Sequence, residues 1–339
     1  MAIESIEAVD YHTAGEPFRI VRAGLGAVPE LPGARVSDRR ENAMRPGAPI
    51  DRLRRLLVHE PRGHRDMYGG FVVPPDQVGE ESQRAHFGVV FWHKDGYSTA
   101  CGHGTMALGA WAVDSGLVAA GEGVTTVRID VPSGRVEANV HVSAGRVHQV
   151  EFVNVLSHSL ERDIEVQTSR GEAMADLAWG GAVYAAVDAA ALGLAITPEC
   201  YTELVRVGRE IKWALNDHAK AQHPADYRLS GVYGTILWDQ PGADPLHQRN
   251  LVVFADGQAD RSPCGSGTAA RCATLHDRGL LRPGDRFIHE SIVGTVFEAV
   301  VEEAEGGVRP RVTGRASLMA TSTFIVDEHD ELPEGFLLG

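Results

Sequence analysis

Short apolar runs, cut by glycine and proline, recur along most of the chain. Residues 6–10, 18–23, 70–73, 86–92, 124–131, 135–142 and 147–155 are rich in Val, Ile and Phe and sit between turn residues, which predicts strands. The second half repeats the style at 184–187, 231–237, 249–254, 286–291 and 308–314. Helical spacing is scarcer and predicts helices over 51–59, 105–115, 198–215 and 268–278. Thr197 is a suitable N-cap, with Pro198 at the first helical position. Two of these helices directly follow a glycine-rich segment that opens on cysteine.

Those two segments are near copies. Cys101-Gly102-His103-Gly104-Thr105-Met106-Ala107 and Cys264-Gly265-Ser266-Gly267-Thr268-Ala269-Ala270 agree at five of seven positions. They lie close to half the chain apart, so two similar halves are expected, at 1–145 and 146–314, with 315–339 packing back onto the first. The length of 339 residues suits two domains or one large one.

Glycines let a backbone turn sharply and let a ligand approach closely. The first amides of a helix have no internal partners and carry partial positive charge, so a carboxylate is a suitable guest. The same field favours a thiolate, which predicts a lowered pKa for a cysteine placed there. Two such sites face to face make an anion cradle flanked by two thiols. One thiolate can remove the α-proton of an amino acid while the other thiol protonates the opposite face. Amide donors stabilise the carboxylate charge that develops.

Other chemistries fit poorly. Cys200 and Cys272 read as small buried hydrophobes, and the cysteine spacing suggests neither a zinc site nor, in a chain without export signals, disulfides. No P-loop or G-x-G-x-x-G is completed. Lys94, Lys212 and Lys220 are the only lysines, and none sits in a setting that suggests a pyridoxal phosphate Schiff base. The expectation is catalysis with no cofactor and no metal. A net charge of −14 argues against nucleic acid, and the short run Arg52-Leu53-Arg54-Arg55 fits an exposed helix face. No stretch of 18 apolar residues occurs, and residues 1–9 lack the plan of a signal peptide, so a cytoplasmic protein with no membrane partner is expected.

At this point the chain resembles the proline racemase family, which includes hydroxyproline epimerases and trans-3-hydroxyproline dehydratases. The resemblance rests on His12-Thr13-Ala14-Gly15-Glu16-Pro17, on His59-Glu60-Pro61-Arg62-Gly63-His64-Arg65-Asp66-Met67-Tyr68-Gly69, on Cys101-Gly102-His103-Gly104-Thr105, and on Asp260-Arg261-Ser262-Pro263-Cys264-Gly265-Ser266-Gly267-Thr268. It implies an α/β (α+β) fold of the diaminopimelate-epimerase type. That fold has two pseudo-symmetric domains, each a curved, mostly antiparallel sheet around a central helix, with the active site between them. It also implies a homodimer, a proline or hydroxyproline substrate, and Cys101 and Cys264 as the acid–base pair. Gly102, His103, Gly265 and Ser266 would bind the carboxylate, with the His103 side chain near the ring nitrogen. Asp260 would hold that nitrogen. On its own chemistry Asp260 is either the partner of a buried ammonium or a turn residue. His12 and His64 read as loop supports.

Two cysteines point to an epimerase, because the dedicated dehydratases of this family typically carry Thr at the position of Cys264. Tyr233-Gly234-Thr235-Ile236, after His223-Pro224, looks more like the dehydratase branch. The expectation is a hydroxyproline 2-epimerase acting on 3- or 4-hydroxyproline, with dehydration of trans-3-hydroxy-L-proline as a second activity. A dedicated dehydratase, a proline racemase, a diaminopimelate epimerase, a thiol hydrolase and a non-catalytic amino-acid binding protein are the rivals.

Overall fold

The computed structural model describes residues 4–77, 84–327 and 329–338. Residues 1–3 of the acidic start, and 328 and 339 of the C-terminal segment, lie outside that range. The first half contributes strands β1 (Glu4–Thr13), β2 (Glu16–Arg22), β3 (Tyr68–Val73), β4 (Phe87–His93), β5 (Gly96–Tyr97), β6 (Gly123–Val131), β7 (Gly134–Ser143) and β8 (Arg146–Val153). Its helices are α1 (Val36–Ala43), α2 (Pro49–Val58) and α3 (Gly102–Asp114). After β9 (His158–Thr168) come β10 (Gly171–Trp179), β11 (Val183–Asp188), α4 (Tyr201–Leu215), β12 (Val232–Asp239), β13 (His247–Phe254), β14 (Gln258–Ala259) and α5 (Gly265–Asp277). The chain closes with β15 (Phe287–Ser291), β16 (Val296–Ala304), β17 (Gly307–Gly314) and β18 (Ala316–Val326).

Strand pairing repeats. In the first half β1–β2 is antiparallel, β2–β3 parallel, β3–β4 antiparallel, β4–β6 parallel, and β6–β7–β8 antiparallel. The run β10–β11–β12–β13–β15–β16–β17 has the same order of senses. The two runs join edge to edge at β8–β17. The strand that follows each run crosses over: β9 pairs with β10, and β18 returns to β1. The exchange ties the ends of both runs together. The result is a mixed α/β fold with pseudo-twofold symmetry.

Each curved run wraps a helix that is buried on all sides, and the polar side chains of α5 are partnered, as with Arg271 on Gln248. Residues 102–112 of α3 and 265–275 of α5 are buried without exception. Their side chains share one core with the inner faces of both runs. The outer faces are covered by α1 and the amphipathic α2 on one side and by the amphipathic α4 on the other, over separate apolar layers.

Strand positions follow the predicted runs closely, and six strands were not anticipated, of which β5 and β14 are only two residues long. β9 and β16 place charged or polar residues on an exposed face, and β10 opens on two exposed residues, which dilutes their apolar signal; in β18 small residues and threonines interrupt the apolar positions, and Leu318, Met319 and Ile325 are exposed. The helical segment expected at 198–215 divides. Pro198–Cys200 forms a 3₁₀ turn, the α-helix starts at Tyr201, and the Thr197 side chain makes no capping bond. Helices α3 and α5 start three residues before the expected Thr105 and Thr268.

Candidate active site

That earlier start sets the site. Cys101 and Cys264 are themselves the N-caps of α3 and α5, so the glycines form the first helical turn rather than a loop. Cys101 Sγ accepts the Gly104 amide at 3.2 Å, and Cys264 Sγ accepts the Gly267 amide at 3.3 Å. The two helix ends meet backbone to backbone. A Cβ on Gly102 would lie 2.5 Å from the Gly265 Cα, and one on Gly265 would lie 2.6 Å from the Gly102 Cα. Only glycine permits that approach. Among the described residues, no acceptor takes the amides of Gly102, His103, Gly265 and Ser266, so four donors at two positive helix ends converge on one place.

The expected residues gather here. Cys101, Cys264, His103, Ser266 and Asp260 are all buried. His103 Nδ1 is 3.5 Å from Cys101 Sγ and 3.8 Å from Asp260 Oδ2. The other Asp260 oxygen accepts both the amide (2.8 Å) and the hydroxyl (2.7 Å) of Ser262. Asp260 is therefore a turn residue on one oxygen and faces His103 with the other. Ser262 Oγ in turn accepts the Cys264 amide at 3.1 Å. This chain holds Cys264 at φ +64°, a strained conformation for a residue with a Cβ. Ser266 Oγ bonds to Tyr184 Oη at 2.8 Å, and Tyr184 Oη is 3.9 Å from Cys264 Sγ. His12 and His64 stand outside the cluster and accept the Gly15 and Asp66 amides of their own loops.

Burial reverses the expectation of acidic thiols. It pushes both Cys101 and Cys264 well above the usual thiol value. For Cys101 the Gly104 amide opposes the push, while Asp260, Cys264 and Glu16 add to it. For Cys264 the next cause is Asp260, against the Gly267 amide. Two helix ends do not outweigh a dry site that already holds negative charge. Burial also keeps His103 below its ordinary value despite Asp260, so its ring is neutral.

Several neighbours carried no local signal of a role. Glu16 is fully buried; its Oε2 accepts the Arg261 amide at 2.8 Å, and its Oε1 has no partner among the described residues. Burial, and then the nearby Asp260, push its carboxyl well above the ordinary value. Asp66 takes the Arg261 guanidinium at 2.7 Å and braces the loop that carries Asp260. Phe18 and Tyr68 set their rings edge-on to His103, and Tyr233 stacks on Phe254. These residues come from β2, β3, β12, β13 and the loop before β3, and only the motifs around Glu16, Tyr68 and Tyr233 drew notice to them. Among the described residues, no group of three or more His, Cys, Asp or Glu could hold a metal ion, and no helix is long and apolar enough to cross a membrane.

Comparison with known proteins places this geometry. Residues 8–337 match the family model described as proline racemase. The 3-hydroxyproline 2-epimerase of Burkholderia multivorans is 44% identical over 98% of each chain. The trans-3-hydroxy-L-proline dehydratase of Azospirillum brasilense is 43% identical over the same shares. A crystal structure of a hydroxyproline epimerase from Agrobacterium vitis, with bound trans-4-hydroxy-L-proline, superposes with a TM-score of 0.89 at 30% identity, covering 100% of this chain and 96% of that one. A family model spanning nearly the whole chain, the relatives' near-complete coverage and the shared fold lead to one conclusion: the chain belongs to the proline racemase family.

Proposed function

We propose that this protein is a cofactor-independent 2-epimerase of hydroxyproline, with trans-3-hydroxy-L-proline as its substrate. The observation that carries the reading is the pair of thiols on two facing helix ends, with four free amides between them. The substrate carboxylate sits on the Gly102, His103, Gly265 and Ser266 amides. Asp260, beside neutral His103, takes the ring ammonium. One thiolate removes the α-proton, and the other thiol delivers a proton to the opposite face. Charge pushed into the carboxylate is met by donors already oriented in a dry site. The names of close relatives support 3-hydroxyproline. Chemistry that depends on free thiols also fits a cytoplasmic setting.

A second reading is loss of water from the same carbanion, giving Δ1-pyrroline-2-carboxylate. The dehydratase relatives favour it as a companion activity. One panel tests both: L-proline, trans-4-hydroxy-L-proline and trans-3-hydroxy-L-proline, each analysed for the inverted epimer and for the pyrroline. Inversion of trans-3-hydroxy-L-proline supports the proposal, pyrroline as the sole product replaces it with a dehydratase, and inertness of all three refutes the substrate class.

Two further outcomes follow from the charges. The reaction needs one thiolate and one thiol. Because burial raises both, lowering the pH leaves both protonated and removes the base. kcat/KM should therefore climb from pH 6 through about pH 8 and fall only where both thiols ionise. A profile flat or falling across that span contradicts raised thiols. Asp260→Asn keeps an oxygen for Ser262 but loses the charge. It should lower kcat/KM about 10- to 100-fold, mainly through KM, as expected for a hydrogen bond to a charged group.

A further inference from the structure

Three hydroxyls cluster in a wall built mainly of aromatic rings. Tyr68 Oη bonds to Ser98 Oγ and lies 3.0 Å from Tyr233 Oη. Tyr68 and Ser98 come from the first half and Tyr233 from the second, so the cluster, like the thiol pair, exists only where the halves meet. It is anchored towards both thiols. The Tyr68 ring stands edge-on to His103 at 5.1 Å, and His103 is the neighbour of Cys101. The Tyr233 ring stands edge-on to Tyr184 at 5.8 Å, and Tyr184 is the neighbour of Cys264. The other rings around it are Phe18 and Phe254, which carry no polar atom, and His93, which packs against both Tyr68 and Tyr233.

A plain proline ring asks only for apolar contact here. Buried hydroxyls cost free energy unless they are partnered. Three hydroxyls bonded to one another use at most three of their six lone pairs, so the cluster can accept one more O–H whichever way its own hydrogens point. Ser98 and Tyr233 also line a cavity of about 260 Å³ with Arg40, His93 and Lys212, which puts the cluster between that cavity and the thiols.

We propose that the Tyr233 hydroxyl, held in place by Tyr68 and Ser98, receives the ring hydroxyl of the substrate and so sets the preference for 3-hydroxyproline over proline. This rests on the substrate reading above and adds to it the group that enforces it. A site built around a substrate hydroxyl discriminates strongly against the analogue without one, because its own polar groups are then left short of a partner.

The test compares wild type with Tyr233→Phe, which removes one oxygen and keeps the ring. kcat/KM for trans-3-hydroxy-L-proline should fall about 10- to 100-fold. Inhibition by pyrrole-2-carboxylate, a planar carbanion analogue with no ring hydroxyl, should shift less than about threefold. Ser98→Ala, which removes a cluster partner, should fall between wild type and Tyr233→Phe. Equal losses for substrate and inhibitor, or unchanged turnover of the hydroxylated substrate, would overturn the assignment of Tyr233. A wild type that acts on no 3-hydroxyproline would instead overturn the substrate reading, and this assignment with it.

Discussion

Replacing Cys101 or Cys264 with serine is expected to lower epimerisation by about 10²- to 10⁴-fold, the usual contribution of a positioned acid or base. Serine keeps the size and the capacity to cap the helix, so Gly104 and Gly267 retain an acceptor. A serine hydroxyl is a far weaker acid than a thiol, and in this dry site it supplies no base near neutral pH. The two variants should differ in what remains. If Cys101 abstracts the α-proton, Cys101→Ser loses both reactions. Cys264→Ser cannot reprotonate the opposite face, so its residual flux with trans-3-hydroxy-L-proline should shift from the epimer to Δ1-pyrroline-2-carboxylate. Separate assays of epimer and pyrroline check this, and unchanged inversion in either variant sinks the two-thiol mechanism.

Gly102→Ala and Gly265→Ala should be as damaging, for a different reason. In an isolated helix either change is favourable, because alanine outranks glycine by about 1 kcal/mol. Here the added methyl meets the facing helix backbone near 2.5 Å, and backbone cannot swing aside as a side chain can. The helix ends must separate, which carries both thiols and all four amides out of register. Overpacking of this kind costs about 1–3 kcal/mol of stability. The loss of activity should exceed what that destabilisation explains, because a misplacement of about 1 Å costs near 10²-fold. Thermal unfolding beside kcat/KM separates the two effects. A stable variant with near-normal turnover would show that the helix contact does not position the site.

The chemistry was legible where its causes are local. The repeat around Cys101 and Cys264 marks two helix starts by its own composition, and the spacing of the copies betrays the internal symmetry. Asp260 was readable as a turn residue, because a turn is a short-range property. What escaped detection depends on residues distant in sequence. Tyr68, Tyr184 and Tyr233 reach the site from three different strands; the segments around Tyr68 and Tyr233 were noticed only as a resemblance, and nothing adjacent to Tyr184 marks its destination. The sign of the thiol shift was misjudged for the same reason. The helix amides are visible in the motif, whereas the burial that outweighs them, and the approach of the Asp260 and Glu16 carboxyls to Cys101, arise only on folding. Strand β9 was missed because its exposed positions are charged or polar, and β18 because alanine, serine and threonine interrupt its apolar positions, although their exchange ties the two halves together.

The most direct test of two-sided proton transfer is the reaction of trans-3-hydroxy-L-proline in deuterium oxide, stopped at low conversion. The account predicts that the inverted epimer carries deuterium at Cα, delivered by the second thiol, while the remaining substrate keeps its original hydrogen because the first thiol returns the proton it took. An inverted product that retains the substrate's own α-hydrogen would mean a single base serving both faces, and would contradict the paired roles of Cys101 and Cys264.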